Sequence, residues 1–353
     1  MKSIFPFVLF SVMVTLMSCY KNPYYDAAKE HHTQEGFINT PPTPKKSWKD
    51  VLKWRKERQS GSLKKPDFPE NSPFLISEPD PRIFTKDPVL TSVTWLGHSS
   101  VLLQIQGLHI LTDPHLTLRA SPFSFIGPKR YTAPPISIDA LPQIDYIVIS
   151  HDHYDHLDVS TLKKMTQKQK DAPPHILVPL GYKKLLASKG LTHVTEFDWW
   201  DKKTFGPVEI HCTPVQHWSR RSLTDYNHRL WSGWAVASKD FKFFFSGDTG
   251  YTHWFKKIGD TLGPFDASAI PIGAYAPRWF MKDAHMNVED AIKAHTDLQS
   301  LFSFGIHWGT FILTDEPLSQ PRERLNALMK EKAQVDLKPF LTFKHGQTKV
   351  FAP

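Results

Sequence analysis

The hexapeptide His151-Asp152-His153-Tyr154-Asp155-His156 constrains this chain more than any other stretch. His151, His153, Asp155 and His156 put three imidazoles and a carboxylate within six residues. They come directly after the apolar run Tyr146-Ile147-Val148-Ile149-Ser150, which reads as a buried strand. A strand that ends in a tight loop can turn all four side chains toward one point. Imidazole and carboxylate suit zinc or another borderline divalent ion, with manganese and iron as alternatives. One tetrahedral ion does not need so many ligands from one loop, so the hexapeptide implies two metals. A metal-free, histidine-rich surface loop is the competing reading, but such loops rarely gather ligands this densely.

Three more candidate ligands follow strand-like runs. His217 comes after Val208–Gln216, Asp248 sits in Ser246-Gly247-Asp248-Thr249-Gly250 after three phenylalanines, and His307 sits in Gly305-Ile306-His307-Trp308-Gly309. Neighbouring glycines let backbones approach closely. Each residue alone reads as structural, but with the hexapeptide they form an ordered series. That series resembles the metallo-β-lactamase superfamily of dinuclear hydrolases. The resemblance implies that His151, His153 and His217 hold one metal, that Asp155, His156 and His307 hold a second, and that Asp248 bridges them. Asp113, in Leu111-Thr112-Asp113-Pro114, matches a family aspartate that supports the metal loop from behind. It is equally a turn residue before proline.

At 353 residues the chain suits one large α/β catalytic domain, from about residue 89 to 353. Val93–Leu96, Val101–Ile105 and Leu108–Thr112 read as short strands, the last two joined by Gln106-Gly107. Helical patterns follow at Val159–Lys168, Tyr182–Ser188, Val288–Asp297 and Arg322–Lys330. Strands, hairpins and helices in this order fit two mixed sheets covered by helices on both outer faces. That is the αββα four-layer sandwich which the resemblance implies. The 24 Phe and 11 Trp either pack this core or line an apolar substrate groove.

The N-terminus points to export. Lys2, the apolar stretch Ile4–Met17 and Leu16-Met17-Ser18-Cys19 describe a secretory signal over residues 1–18, too short for a comfortable membrane span. The ending resembles a bacterial lipobox, with Cys19 as the lipidated first residue; an ordinary signal peptide or an uncleaved anchor is the alternative. By resemblance to Gram-negative sorting, Tyr20 favours the outer membrane, with the periplasm as the compartment. Only Cys212 is then left, and no intramolecular disulfide can form. Residues 19–88 form a Pro- and Lys-rich arm. Within it Ser47 is placed to cap a helix over Trp48–Arg58, and residues 45–58 carry seven Lys or Arg against two acids. This segment either rests on anionic headgroups or packs as a solvated strap.

Longer strings narrow the resemblance. Arg119-Ala120-Ser121-Pro122, Gly127-Pro128-Lys129-Arg130, Asp198-Trp199-Trp200, Gln216-His217-Trp218, Ala269–Tyr275, Pro277–Lys282 and Ile306–Phe311 resemble the family of N-acylphosphatidylethanolamine-hydrolysing phospholipases D. The likeness runs from about Phe37 to Lys344. It implies a phospholipid substrate at a membrane surface, cut to N-acylethanolamine and phosphatidic acid, and makes a homodimer reasonable. Two metals would lower the pKa of bound water from about 16 toward about 7, so that a bridging hydroxide attacks phosphorus in line with the leaving alkoxide. Asp155 belongs to this catalytic centre. His285 matches a family histidine before a helix; it is either a proton donor or oxyanion stabiliser, or an incidental neighbour of a helix cap. Arg220, Arg221 and Tyr154 are candidate phosphate or substrate contacts. The chain departs from the animal enzymes at Phe123-Ser124-Phe125, where polar residues are expected.

Different chemistries fit less well. No Gly-x-Ser-x-Gly elbow occurs, and none of the 18 histidines begins a His-x-Lys pair. The family's β-lactamases usually carry Cys where Asp248 stands. A nuclease is the main rival, given a net charge of +8, but much of that excess lies in the arm and no nucleic-acid partner is expected. The same residues are also compatible with a simple phosphodiesterase, a lactonase or a non-catalytic lipid-binding lipoprotein.

Overall fold

The computed structural model describes residues 20–61, 72, 74–331 and 337–351. The expected leader and Cys19 lie outside the described residues. Among those described, no helix is long and apolar enough to cross a membrane.

Two seven-stranded sheets face each other. In spatial order the first runs Thr348–Phe351, Thr91–Gly97, Ser100–Ile105, Leu108–Thr112, Tyr146–Val148, His175–Pro179 and Val194–Phe197. The second runs Phe340–Thr342, Ser303–Ile306, Ala267–Pro271, Lys242–Phe245, Gly233–Ala237, Val208–Thr213 and Lys202–Phe205. Both sheets are mixed. Hairpin-linked strands such as 100–105 and 108–112 pair antiparallel, and strands joined by longer crossovers, such as 108–112 with 146–148 and 146–148 with 175–179, pair parallel.

The layering follows from side-chain alternation. Val101, Leu103 and Ile110 point into the cluster between the sheets, whereas Leu102 and Leu111 point into a second cluster under the outer helices. Both faces are therefore apolar, and the strands read as continuous hydrophobic runs. The helices Val159–Lys168 and Lys183–Ala187 cover the first sheet through Leu162, Met165 and Leu186. Helices Trp254–Leu262, Val288–Asp297 and Gln320–Glu331 cover the second through Phe255, Ile258, Ile292 and Leu325. Burying each such side chain contributes about 1.5–3 kcal/mol. The result is the αββα sandwich.

The described part of the arm is anchored to the sandwich. It carries a helix, Trp48–Gln59, whose Ser47 and Asp50 form a reciprocal capping box. Asn39 reaches the second sheet's loops: its Nδ2 donates to the His217 carbonyl at 2.8 Å, and its Oδ1 accepts from the His217 N–H at 3.1 Å. Upstream, Asp198 accepts from His31 at 2.7 Å, lies 3.0 Å from His32 and binds the Lys29 ammonium. These three groups clasp the arm to the sandwich. His31, His32 and Asp198 also converge as metal-type ligands do, but the Lys29 ammonium already sits on the same carboxylate. Burial opposes ionisation of Asp198, yet the bonds from His31 and Lys29 outweigh it and hold the carboxyl well below its usual range. That stabilisation is full above the unfolded pKa of about 3.9 and is lost as pH falls below it toward the folded value. Asp198→Ala is expected to cost about 3 kcal/mol at neutral pH, because it strands buried donors. The gap between variant and wild type should close as pH drops below about 4, which thermal unfolding across pH would show.

Candidate metal centre

Every candidate ligand sits just past the end of a strand, at the edge where the two sheets meet. His98 follows Thr91–Gly97, Asp113 follows Leu108–Thr112, and the hexapeptide follows Tyr146–Val148. His217, Asp248 and His307 follow strands of the second sheet. Cross-sheet bonds lace these loops together. The His307 N–H donates to the His98 carbonyl at 2.9 Å, and the His98 N–H donates to Thr310 Oγ1 at 2.8 Å. His98, Asp113 and His307 adopt left-handed backbone, with φ of 51°, 33° and 60°. Such residues persist only where their surroundings over-determine them, and they gather at functional sites. Gly247 (φ 59°) must be glycine for a further reason: a Cβ there would lie 2.4 Å from the Ser150 Cβ.

The ligands form two groups. In the first, His151 Nε2 lies 2.8 Å from His153 Nδ1, and His217 Nε2 lies 3.2 Å from the same atom. In the second, Asp155 Oδ2 lies 3.0 Å from His98 Nε2 and 3.4 Å from both His156 Nε2 and His307 Nε2. Asp248 joins them. Its Oδ2 is 3.1 Å from His156 and from His307, and 3.8 Å from His285 Nδ1. The same carboxylate converges with His217 of the first group. The His285 ring lies 5.2 Å from the His217 ring and 5.6 Å from the His307 ring, and its side chain is 15% exposed.

Hydrogen bonds behind the ligands set their tautomers. Ser150 Oγ donates to Asp113 Oδ2 at 2.5 Å and so must accept from His151 Nδ1, 2.9 Å away. His156 Nδ1 donates to the same Asp113 oxygen at 2.7 Å, and His217 Nδ1 donates to the Ala284 carbonyl at 2.9 Å. All three turn Nε2 inward, toward the place where an ion would bind. Asp113 is fully buried and also accepts the Ser150 N–H at 2.7 Å.

The residues fit a pair of divalent ions. His153 Nε2, His156 Nε2, both His307 ring nitrogens and Asp248 Oδ1 are buried without a hydrogen-bond partner. Such orphans are rare in native interiors unless an ion or water serves them. Burial, then neighbouring histidines, pushes His151 and His217 well below the usual imidazole range, so both are neutral. Burial also works against charge on His156 and His307, but Asp248 and Asp155 outweigh it; His307 is pushed up to about 9. Burial likewise opposes ionisation of Asp155 and Asp248, and the histidine charges override it. Two buried carboxylates therefore hold two protons on imidazole, in the place where a dication would supply the same charge.

The remaining predicted contacts lie elsewhere. Arg221 lies over the Tyr154 ring, 4.0 Å from its centre, and its Nη1 donates to the carbonyls of Asp152 and Leu157 at 2.7 and 3.0 Å. Tyr154 Oη donates to the Arg221 carbonyl at 2.9 Å. Arg220 turns back onto the carbonyls of Ser222 and Leu223. The structure brings neither guanidinium to the ligand groups, because the hexapeptide's own backbone and the adjacent loop take their donors. Sequence reasoning misses His98. Its signal is a lone histidine after Gly97 at the end of a strand-like run, which taken alone reads as structural.

Residues 109–308 match the family described as the beta-lactamase superfamily domain. The chain is 45% identical over 267 residues to N-acyl-phosphatidylethanolamine-hydrolyzing phospholipase D 1 of Caenorhabditis elegans, covering 72% of this chain and 74% of that one. Identity to the mitochondrial N-acyl-phosphatidylethanolamine-hydrolyzing phospholipase D of Saccharomyces cerevisiae is 38% over 249 residues, covering 67% of this chain and 51% of the yeast protein. Among solved structures, the isothiocyanate hydrolase from Delia radicum gut bacteria superposes with a TM-score of 0.59 at 20% identity. That superposition covers 74% of this chain and 99% of the hydrolase, a likeness of fold. Divalent-metal binding is what this fold implies, and the two ligand groups are where it would occur. By motif order, architecture and alignment together, the chain belongs to the metallo-β-lactamase superfamily and, within it, to the N-acylphosphatidylethanolamine-hydrolysing phospholipase D family.

Proposed function

We propose that this protein is a zinc-dependent phosphodiesterase that hydrolyses N-acylphosphatidylethanolamine to N-acylethanolamine and phosphatidic acid. The observation that carries this reading is the pair of ligand groups joined by Asp248, in a chain aligned over most of its sandwich with enzymes named for that reaction. His151, His153 and His217 would hold one ion, and Asp155, His156 and His307 the other, with Asp248 shared and His98 steadying Asp155. Two such ions supply Lewis acidity toward a phosphoryl oxygen and make water nucleophilic at neutral pH.

The chain's own groups do the rest. The relay from Asp113 through Ser150 and His156 keeps the ligands oriented without rearrangement during turnover. His285 stands beside Asp248 with its Nδ1 buried and unpartnered. Burial pushes it down to about 4, so it is neutral at pH 7. A neutral imidazole serves better as a hydrogen-bond donor to the departing alkoxide than as a strong acid. The P–O bond to the ethanolamine oxygen breaks, a new P–O bond forms to water, and water's proton ends on the alkoxide. The apolar leader ending at Cys19 supports export and lipid anchoring of the same enzyme.

The test is hydrolysis of N-acylphosphatidylethanolamine in detergent micelles, with products resolved by mass spectrometry. Release of both products, lost on chelation and in Asp155→Ala, is the expected result. A fully metallated protein that releases neither would overturn the reading, and lactones and simple phosphodiesters would be tried next.

A further inference from the structure

Two exposed elements hang from the loop that carries His307. The first is a hairpin, residues 118–130. Its arms are joined by the Ala120 N–H to the Pro128 carbonyl at 3.0 Å and the Arg130 N–H to the Leu118 carbonyl at 2.8 Å. Its tip presents Phe123, Phe125 and Ile126 at 55%, 76% and 58% exposure, with Leu118 at 55% behind them. Four large apolar side chains exposed within nine residues mark an interaction surface rather than scatter. Its foot is at the site. The Tyr131 N–H donates to the Thr310 carbonyl at 2.8 Å, and Arg130 pairs across the backbone with Phe311, whose ring lies 5.1 Å from that of His98.

The second element is the arm helix, 48–59. Trp54 Nε1 donates to Asp315 at 2.5 Å, and Arg58 pairs with the same carboxylate, so this helix is fixed eight residues beyond His307. Its outward face carries Trp48 at 66% and Leu52 at 47% exposure in one row, beside Lys49, Lys53 and Lys56 in the next. A basic helix face with an exposed Trp and Leu fits a bilayer interface, the cations at headgroup phosphates and the apolar groups just below. A second copy of the chain would bring the same lysines against these.

We propose that hairpin 118–130 and the arm helix form one docking surface for an anionic lipid bilayer, the hairpin inserting and the helix reading surface charge. The docking takes its purpose from the phospholipase reading, but its test does not depend on that reading. Flotation would use the chain from Tyr20 onward, which contains every described residue and lacks the apolar leader. Vesicles would be phosphatidylcholine alone, or phosphatidylcholine with phosphatidylglycerol, so no substrate is present. Wild type is expected to favour the anionic vesicles. Phe123→Ser/Phe125→Ser/Ile126→Ser should lower partitioning to both by about tenfold or more. Lys49→Glu/Lys53→Glu/Lys56→Glu should abolish the anionic preference while leaving the weaker binding to phosphatidylcholine. Both variants should keep the wild-type melting temperature, since the altered side chains are exposed. Equal partitioning of wild type and the serine variant overturns the proposal. So does a wild type that binds neither vesicle but dimerises through this face. Vesicle binding without turnover of N-acylated lipid would count against the phospholipase reading alone.

Discussion

Asp248→Asn is expected to reduce turnover at least about a thousandfold, equivalent to about 4 kcal/mol of lost transition-state stabilisation. The reason is position. Asp248 Oδ2 lies 3.1 Å from both His156 and His307, its Oδ1 is buried and unpartnered, and the carboxylate also converges with His217 of the first group. Asparagine keeps the shape and removes the charge. The two imidazoles then lose a counter-charge, and a dication loses the ligand common to both groups. Elemental analysis should show fewer than two ions per chain, while circular dichroism should show the fold intact. A variant that kept both ions and more than a tenth of wild-type turnover would show that Asp248 is dispensable.

Asp113→Ala acts from behind the ligands and should cost about 3–5 kcal/mol in stability. The carboxylate is fully buried and accepts the Ser150 N–H, the Ser150 hydroxyl and His156 Nδ1. Alanine leaves three buried donors without an acceptor. It also frees His151 and His156 to change tautomer, which should weaken metal binding about 10–100-fold. Urea unfolding and competition against a chelator would measure the two effects separately. Unchanged metal affinity in a destabilised variant would reduce Asp113 to a packing role.

The convergence of the hexapeptide with His217, Asp248 and His307 is readable because each ends an apolar run, and strand ends in a two-sheet fold meet at one edge. Helices such as 159–168 and 288–297 are readable because a capping Asp158 or Asn287 precedes a regular apolar stripe. Helix 254–262 escapes such reading, and Gly259 in its middle is a reason. Glycine weakens a helix taken alone. Here a Cβ at Gly259 would lie 2.1 Å from the Asp297 carbonyl, so the residue that obscures the helix is what lets it pack against its neighbour. The Asp198 clasp is invisible for a different reason. Its three partners lie up to 169 residues upstream, at Lys29, His31 and His32, and nothing local in His31-His32 names that distant carboxylate. The bonds of Arg220 and Arg221 are equally illegible, because adjacency to His217 in sequence says nothing of which carbonyls a loop leaves open.

The bonds between Asn39 and the His217 backbone give the arm a mechanical meaning. The strap that fixes this ligand is continuous with the chain's N-terminal end. Load applied at Tyr20 meets the stacked His228 ring, then the bonds from Tyr24 to Glu196, then the clasp at Asp198, and reaches Asn39 only after these yield. Until then the load enters the sandwich at His228, Glu196 and Asp198, and His217 keeps its place. Once they yield, the same pull would act through Asn39 directly on the backbone of His217, a candidate ligand.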